Sequence, residues 1–228
     1  MSYNLSPSLT FEIIAFLSSV FFFIKKRDKL IFYFMLFLFA TVCVEMVGKF
    51  FFSLPVYRRS KYKQVMYNIF VASEYVFYAF IFYRSFKKKL LRKITLLLIP
   101  VSIGISLVNM LFIQGIYAFN SYSSLLGSFF IVLFCCFFFY ESIQPEKIDE
   151  QLSKQPMFWI SSGLLIFYLG SVIIDALWEY LTSNALQNQG VKIYSTITHF
   201  LNVVLYSSFS IAFYLCPDRR KTYSSASS

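Results

Sequence analysis

The side chains able to do chemistry are few, and they sit where they are costly. Glu12, Glu45, Glu74, Asp175 and Glu179 fall within long apolar runs, as do the single histidine, His199, and the amides Asn68, Asn109 and Asn202. A carboxylate at the centre of a membrane helix costs about 2.5–3.5 kcal/mol on insertion scales, so each one calls for a partner or a task. Glu74 lies near the middle of its run, roughly 12–15 Å from either end at a helical rise of about 1.5 Å per residue. Helical spacing groups the others. Glu45 and Lys49 are i,i+4 with the acid first, the favourable order for an ion pair. Asp175 and Glu179 share a face, His199 and Asn202 are i,i+3 with Ser195 and Tyr206 extending their stripe, and Tyr67, Glu74 and Tyr78 line another. The expected arrangement is a polar pocket lined by Glu45, Glu74, Asp175, His199, Asn202, Asn68 and Tyr78. Such a pocket can hold a small ligand by hydrogen bonds, or pass a proton through Glu74. The plainer reading treats the amides and His199 as interhelical hydrogen-bond partners, with Glu12 and Glu179 solvated at an interface.

The same inventory excludes much. One histidine cannot supply the three protein ligands a zinc site needs. The last apolar run, Ile193 to Leu215, holds no lysine for a retinal Schiff base. Cys43, Cys135, Cys136 and Cys216 lie within or beside apolar runs, and the adjacent Cys135-Cys136 pair lacks metal-binding or redox spacing. Phosphate-loop, nucleophile-elbow and H-E-x-x-H motifs are missing from the sequence. No metal, no cofactor and no enzymatic activity are expected.

The elements that must position these groups are membrane helices. The 228 residues are 58% hydrophobic and 14% charged, with a mean hydropathy of +0.64, well outside the composition of a soluble domain. Seven runs approach the roughly 20 residues that cross a bilayer. They are Leu9–Ile24, Leu30–Phe52, Gln64–Phe82, Ile94–Phe112, Tyr122–Tyr140, Met157–Tyr180 and Ile193–Leu215. The expected fold is therefore all-α: one polytopic domain over 1–216 and a short cytoplasmic tail over 217–228. Pro100, with Gly104 one turn on, should kink the fourth span. Met1 to Thr10 has no positive region of a signal peptide, so the first helix is expected to stay uncleaved.

Charge sets the orientation. The net +10 is not a nucleic-acid signature, because the bases cluster between apolar runs. With the N-terminus outside and the C-terminus in the cytoplasm, 15 of the 21 Lys and Arg residues fall on the cytoplasmic side. The densest cluster, Lys87, Lys88, Lys89, Arg92 and Lys93, is expected to meet anionic lipids or a partner protein. The outer loops of this topology contain no acid, so every acid on that side lies inside a helix.

The runs YNIFVASEYVFYAFIFY, FWISSGLLIFYLGSVIIDAL and ITHFLNVVLYSSFSIAFYLCP resemble small seven-helix membrane proteins of Bacteroidota. These are similar in layout to membrane sensor modules associated with histidine kinases. The resemblance implies a multi-pass protein of the bacterial inner membrane with a sensory role and a signalling partner, and it assigns no site residue. A second pattern pairs spans one to three with five to seven, placing Glu45 opposite Asp175, and Glu74 and Tyr78 opposite Asn202 and Tyr206. A three-plus-one-plus-three repeat is a transporter layout. Three functions follow: a small-ligand or membrane-state sensor with its pocket in the outer half, a small-solute transporter coupled through Glu74, or a non-catalytic assembly protein.

Overall fold

The computed structural model describes residues 7–51, 56–118, 120–143, 152–183 and 187–217, without the side chains of 50–51, 56–60, 176–183 and 187–192. The long helices are α1 (Pro7–Lys26), α2 (Lys29–Phe51), α3 (Val56–Ser85), α4 (Lys89–Val108), α5 (Ser121–Ser142), α6 (Pro156–Ser183) and α7 (Gln187–Leu215). No strand occurs among the described residues. Each of the seven contains a stretch long and apolar enough to cross a membrane. In lipid every backbone amide must be satisfied within its own segment, and uninterrupted helices do this. The helices outrun the expected spans at several ends. The basic run after α3 is accordingly not a loop: only Phe86, Lys87 and Lys88 separate α3 from α4, and Lys89, Arg92 and Lys93 lie in the opening turns of α4. The helical ladder of α4 continues through Pro100 to Val108, then widens into a π turn over Asn109–Ile113.

The helices fall into two compact units. The first comprises the described parts of Met1–Phe39 and Ile148–Ser228, hence α1, the first half of α2, α6 and α7. Here α7 packs against both α6 and α1. Its core is aromatic: Phe34 meets Phe209 and Phe213 at 5.0 and 5.7 Å between ring centroids, and all three are buried. Gly163 lets α6 approach α7 closely, since a Cβ there would stand 2.7 Å from the Cβ of Ser208. α1 passes to α2 in a two-residue turn. Arg27 takes the left-handed conformation (φ 51°), and the Asp28 carboxylate caps α2 by accepting the Leu30 amide at 2.7 Å. Lys26 ends α1 by donating to the carbonyl oxygens of Phe213, Tyr214 and Cys216, the unsatisfied acceptors at the end of α7.

The second unit is Ala40–Lys147, with the second half of α2, α3, α4 and α5. α3 packs against both α4 and α5, and α4 against α5. Tyr78, Phe82 and Phe134 are its largest buried side chains. α4 buries Leu91 and Thr95 and turns most of its apolar side chains outward, as expected of a lipid-facing helix. This grouping differs from a three-plus-one-plus-three repeat. Such a repeat would join α1 with α3, and α5 with α7, whereas α1 groups with α6 and α7, and α5 with α3 and α4.

Candidate functional site

The most developed polar site is neutral and lies in the α3–α5 unit. The π turn gives it its form. The Gln114 amide reaches back to the Asn109 carbonyl at 2.9 Å, closing the wide turn, and Gly115 follows with φ 85°, a conformation glycine adopts without steric penalty. The chain then returns to α5 at Asn120. This brings Asn109 at the end of α4, Asn120 before α5 and Asn68 on α3 into one network, all three of them buried. Asn68 donates to the Ala118 carbonyl at 2.8 Å and accepts the Asn120 amide at 3.2 Å and the Gln64 side chain at 3.2 Å. Asn120 donates to Ser106 Oγ at 2.9 Å and accepts from the Asn109 amide. Asn109 also donates to Gln114 Oε1 at 2.7 Å, and Gln114 in turn donates to Ser121 at 2.7 Å.

A cavity of about 20 Å³ opens beside this network. Its wall includes Asn68, Tyr75, Ser102, Ser106, Asn120, Ser123 and Ser124. The volume suits about one water-sized group. Tyr75 closes one side, with its hydroxyl donating to the Ser124 carbonyl at 2.9 Å and its ring lying across Gly127. Asn109 Oδ1, buried beside the network, accepts no hydrogen bond among the described residues. Amides and hydroxyls bind by exchanging hydrogen bonds, and among the described residues no carboxylate or imidazole lines the cavity to act as a base.

The expected site residues divide between the two units. In the α3–α5 unit, Asn68 joins the amide network. Glu45 accepts from Tyr67 Oη at 3.1 Å, and no ion pair joins it to Lys49 among the described residues. Glu74 is half-buried, and Tyr78 is buried with its ring edge-on to Phe77. Neither lines the cavity. In the other unit, His199 bridges two hydroxyls: Ser8 Oγ lies 2.7 Å from Nδ1 and Ser195 Oγ 3.2 Å from Nε2. The Ser195–His199 stripe is therefore a real contact. Asn202 turns back on its own helix and donates to the Thr198 carbonyl at 2.9 Å. Asp175 is exposed and accepts weakly from Tyr194 at 3.4 Å. The Glu179 side chain lies outside the described residues. Among the described residues no three His, Cys, Asp or Glu side chains converge.

Sequence reasoning missed Asn120 and the serines around it. Asn120 sits in an apparent loop, yet its i+3 and i+4 partners Ser123 and Ser124 and the Asn109–Gln114 pair were available as a signal. A second omission is Glu141, buried at the end of α5. It accepts the Lys87 amide at 3.0 Å to each carboxylate oxygen and the Lys88 amide at 2.6 Å. The chain matches no family model, no curated protein and no solved structure.

Proposed function

We propose that this protein is a multi-pass membrane sensor module whose responsive element is the amide network of Asn68, Asn109 and Asn120. The observation behind the reading is that side-chain amides from three places in the chain meet beside a water-sized cavity lined by two of them, Asn68 and Asn120, while the third, Asn109, opens a π turn. Hydrogen bonds between membrane helices contribute only about 0.6 kcal/mol each on average. A network of them can therefore exchange partners at low cost, while the apolar core of the α3–α5 unit holds its packing. A small hydrogen-bonding ligand, or a change in the surrounding bilayer, would favour one arrangement over the other. The third, sixth and seventh spans resemble small seven-helix membrane proteins whose layout is similar to that of sensor modules, which accords with this reading. On this reading the protein lies in a bacterial inner membrane, and the distribution of Lys and Arg favours a cytoplasmic C-terminus, on which side a signalling partner would read the change. No catalytic step is assigned.

The test separates sensing from transport. Proteoliposomes carrying the full chain should pass no small solute in response to a pH gradient, and Glu74→Gln should leave that result unchanged. Gradient-driven flux that Glu74→Gln abolishes would overturn the sensor reading in favour of a proton-coupled transporter.

A further inference from the structure

The five bases between Lys87 and Lys93 begin a helix, the end at which cations are least favoured because the amide dipoles point their positive ends outward. The first turn of α4 contains no acid, and its N-cap residue Lys88 makes no side-chain cap. Glu141 of α5 supplies the missing anion. Its carboxylate is turned inward onto the Lys87 and Lys88 amides, and Phe86, buried and stacked on Phe82 at 5.9 Å, fastens the same turn. Glu141 thus fixes the turn while its charge is occupied by backbone donors. Lys87, Lys89, Arg92 and Lys93 remain exposed. Two cations are aligned on aromatic rings: Arg92 stands 4.8 Å from the centre of Tyr83 and Lys88 stands 5.0 Å from that of Tyr140. All of this lies where the apolar stretches of α3, α4 and α5 end, at Ser85, Lys89 and Ser142. That is the depth at which lipid phosphates meet a membrane protein.

We propose that this surface binds the phosphate headgroups of anionic phospholipids, with Glu141 as the positioning residue that holds the bases in register. Bases placed against their own helix dipole are retained because a fixed anionic layer repays the unfavourable placement. Headgroup binding at this surface requires neither a sensory role nor a particular orientation of the chain.

The full chain, purified in detergent, would be titrated with phosphatidylglycerol and with phosphatidylcholine, and lipid binding measured by native mass spectrometry. Phosphatidylglycerol should be preferred. Replacing Lys87, Lys89, Arg92 and Lys93 together by Gln should remove the preference, at about fivefold in affinity for each base near the layer. These four side chains are exposed, so the fold should survive their replacement. Lys49→Gln, on an exposed residue of α2, should keep it. Glu141→Gln makes the net charge more positive, so attraction by charge alone would strengthen phosphatidylglycerol binding. Positioning instead weakens it, with phosphatidylcholine binding unchanged. Equal binding of the two lipids by the native chain, a preference surviving the quadruple replacement, or a stronger preference in Glu141→Gln would overturn the proposal. Competition by millimolar inorganic phosphate as effective as that by the lipid would overturn it too, in favour of a soluble-phosphate site.

Discussion

Among the described glycines of the α3–α5 unit the tightest is Gly127, where an added methyl would press on Tyr75 of the cavity wall. A Cβ there would stand 2.3 Å from Tyr75 Cε2 and 2.5 Å from Cδ2 and Cζ. The obstacle is the flat of a ring, not a flexible chain end. Gly127→Ala must therefore move either the ring or the helix. Overpacking costs about 1–3 kcal/mol. Replacing a helical glycine by alanine returns about 1 kcal/mol. If the ring moves, the Tyr75 to Ser124 hydrogen bond is lost as well, at about 0.6 kcal/mol. With the ring displaced, the net expectation is a loss of about 0.6–2.6 kcal/mol, or roughly 3- to 80-fold in the unfolding equilibrium. Reversible unfolding in mixed detergent micelles measures it. Gly104→Ala on α4 is the control, because none of the described residues beyond its own helix neighbours lies within 4 Å of the added Cβ, and it should be neutral or slightly stabilising. In a Tyr75→Ala background the ring is gone, and Gly127→Ala should no longer cost stability. Equal stability of Gly127→Ala and Gly104→Ala, or an undiminished cost without the ring, would refute this account of the cavity wall.

Other contacts give sharper local readouts. Lys26→Met removes the donor serving the carbonyls of Phe213, Tyr214 and Cys216, at about 1–2 kcal/mol for a charged donor. Hydrogen exchange across 211–217 should quicken about tenfold, with α4 and α5 unaffected. Ser8→Ala deprives His199 Nδ1 of a partner at 2.7 Å and should cost about 0.6 kcal/mol, measured by unfolding, whereas the exposed Ser195→Ala should cost less. Asp175→Asn alters an exposed side chain with one long hydrogen bond and should change stability by less than about 0.5 kcal/mol.

Helix number and extent were legible because span length and apolar composition are one-dimensional properties. Leu9–Ile24 grows only to Pro7–Lys26, and Tyr122–Tyr140 to Ser121–Ser142. The site was less legible because a carboxylate announces itself by its insertion cost, while an asparagine does not. The sequence therefore points to Glu45, Glu74 and Asp175, and to Asn68 only as one of seven. Periodicity can place Ser195 beside His199, since both lie on α7. It cannot bring Asn68 to Asn120, whose meeting depends on the π turn and on packing between α3 and α5. Glu141 escaped notice for a related reason: its partners are backbone amides 53 and 54 residues earlier in the chain, which leave no pattern in side-chain type.

The central claim is that the Asn68–Asn109–Asn120 network exchanges between two arrangements while the helices around it stay packed. Hydrogen exchange of the full chain in lipid nanodiscs, followed over residues 109–120, tests it most directly. The account predicts protection there below that of α4 before Ser106 and of α5 after Ser128. It also predicts a further fall of about tenfold in Asn120→Ala, which removes the contacts to Asn109 and Ser106 at about 0.6 kcal/mol or more each. Protection equal to that of the flanking helices and indifferent to Asn120→Ala would contradict it.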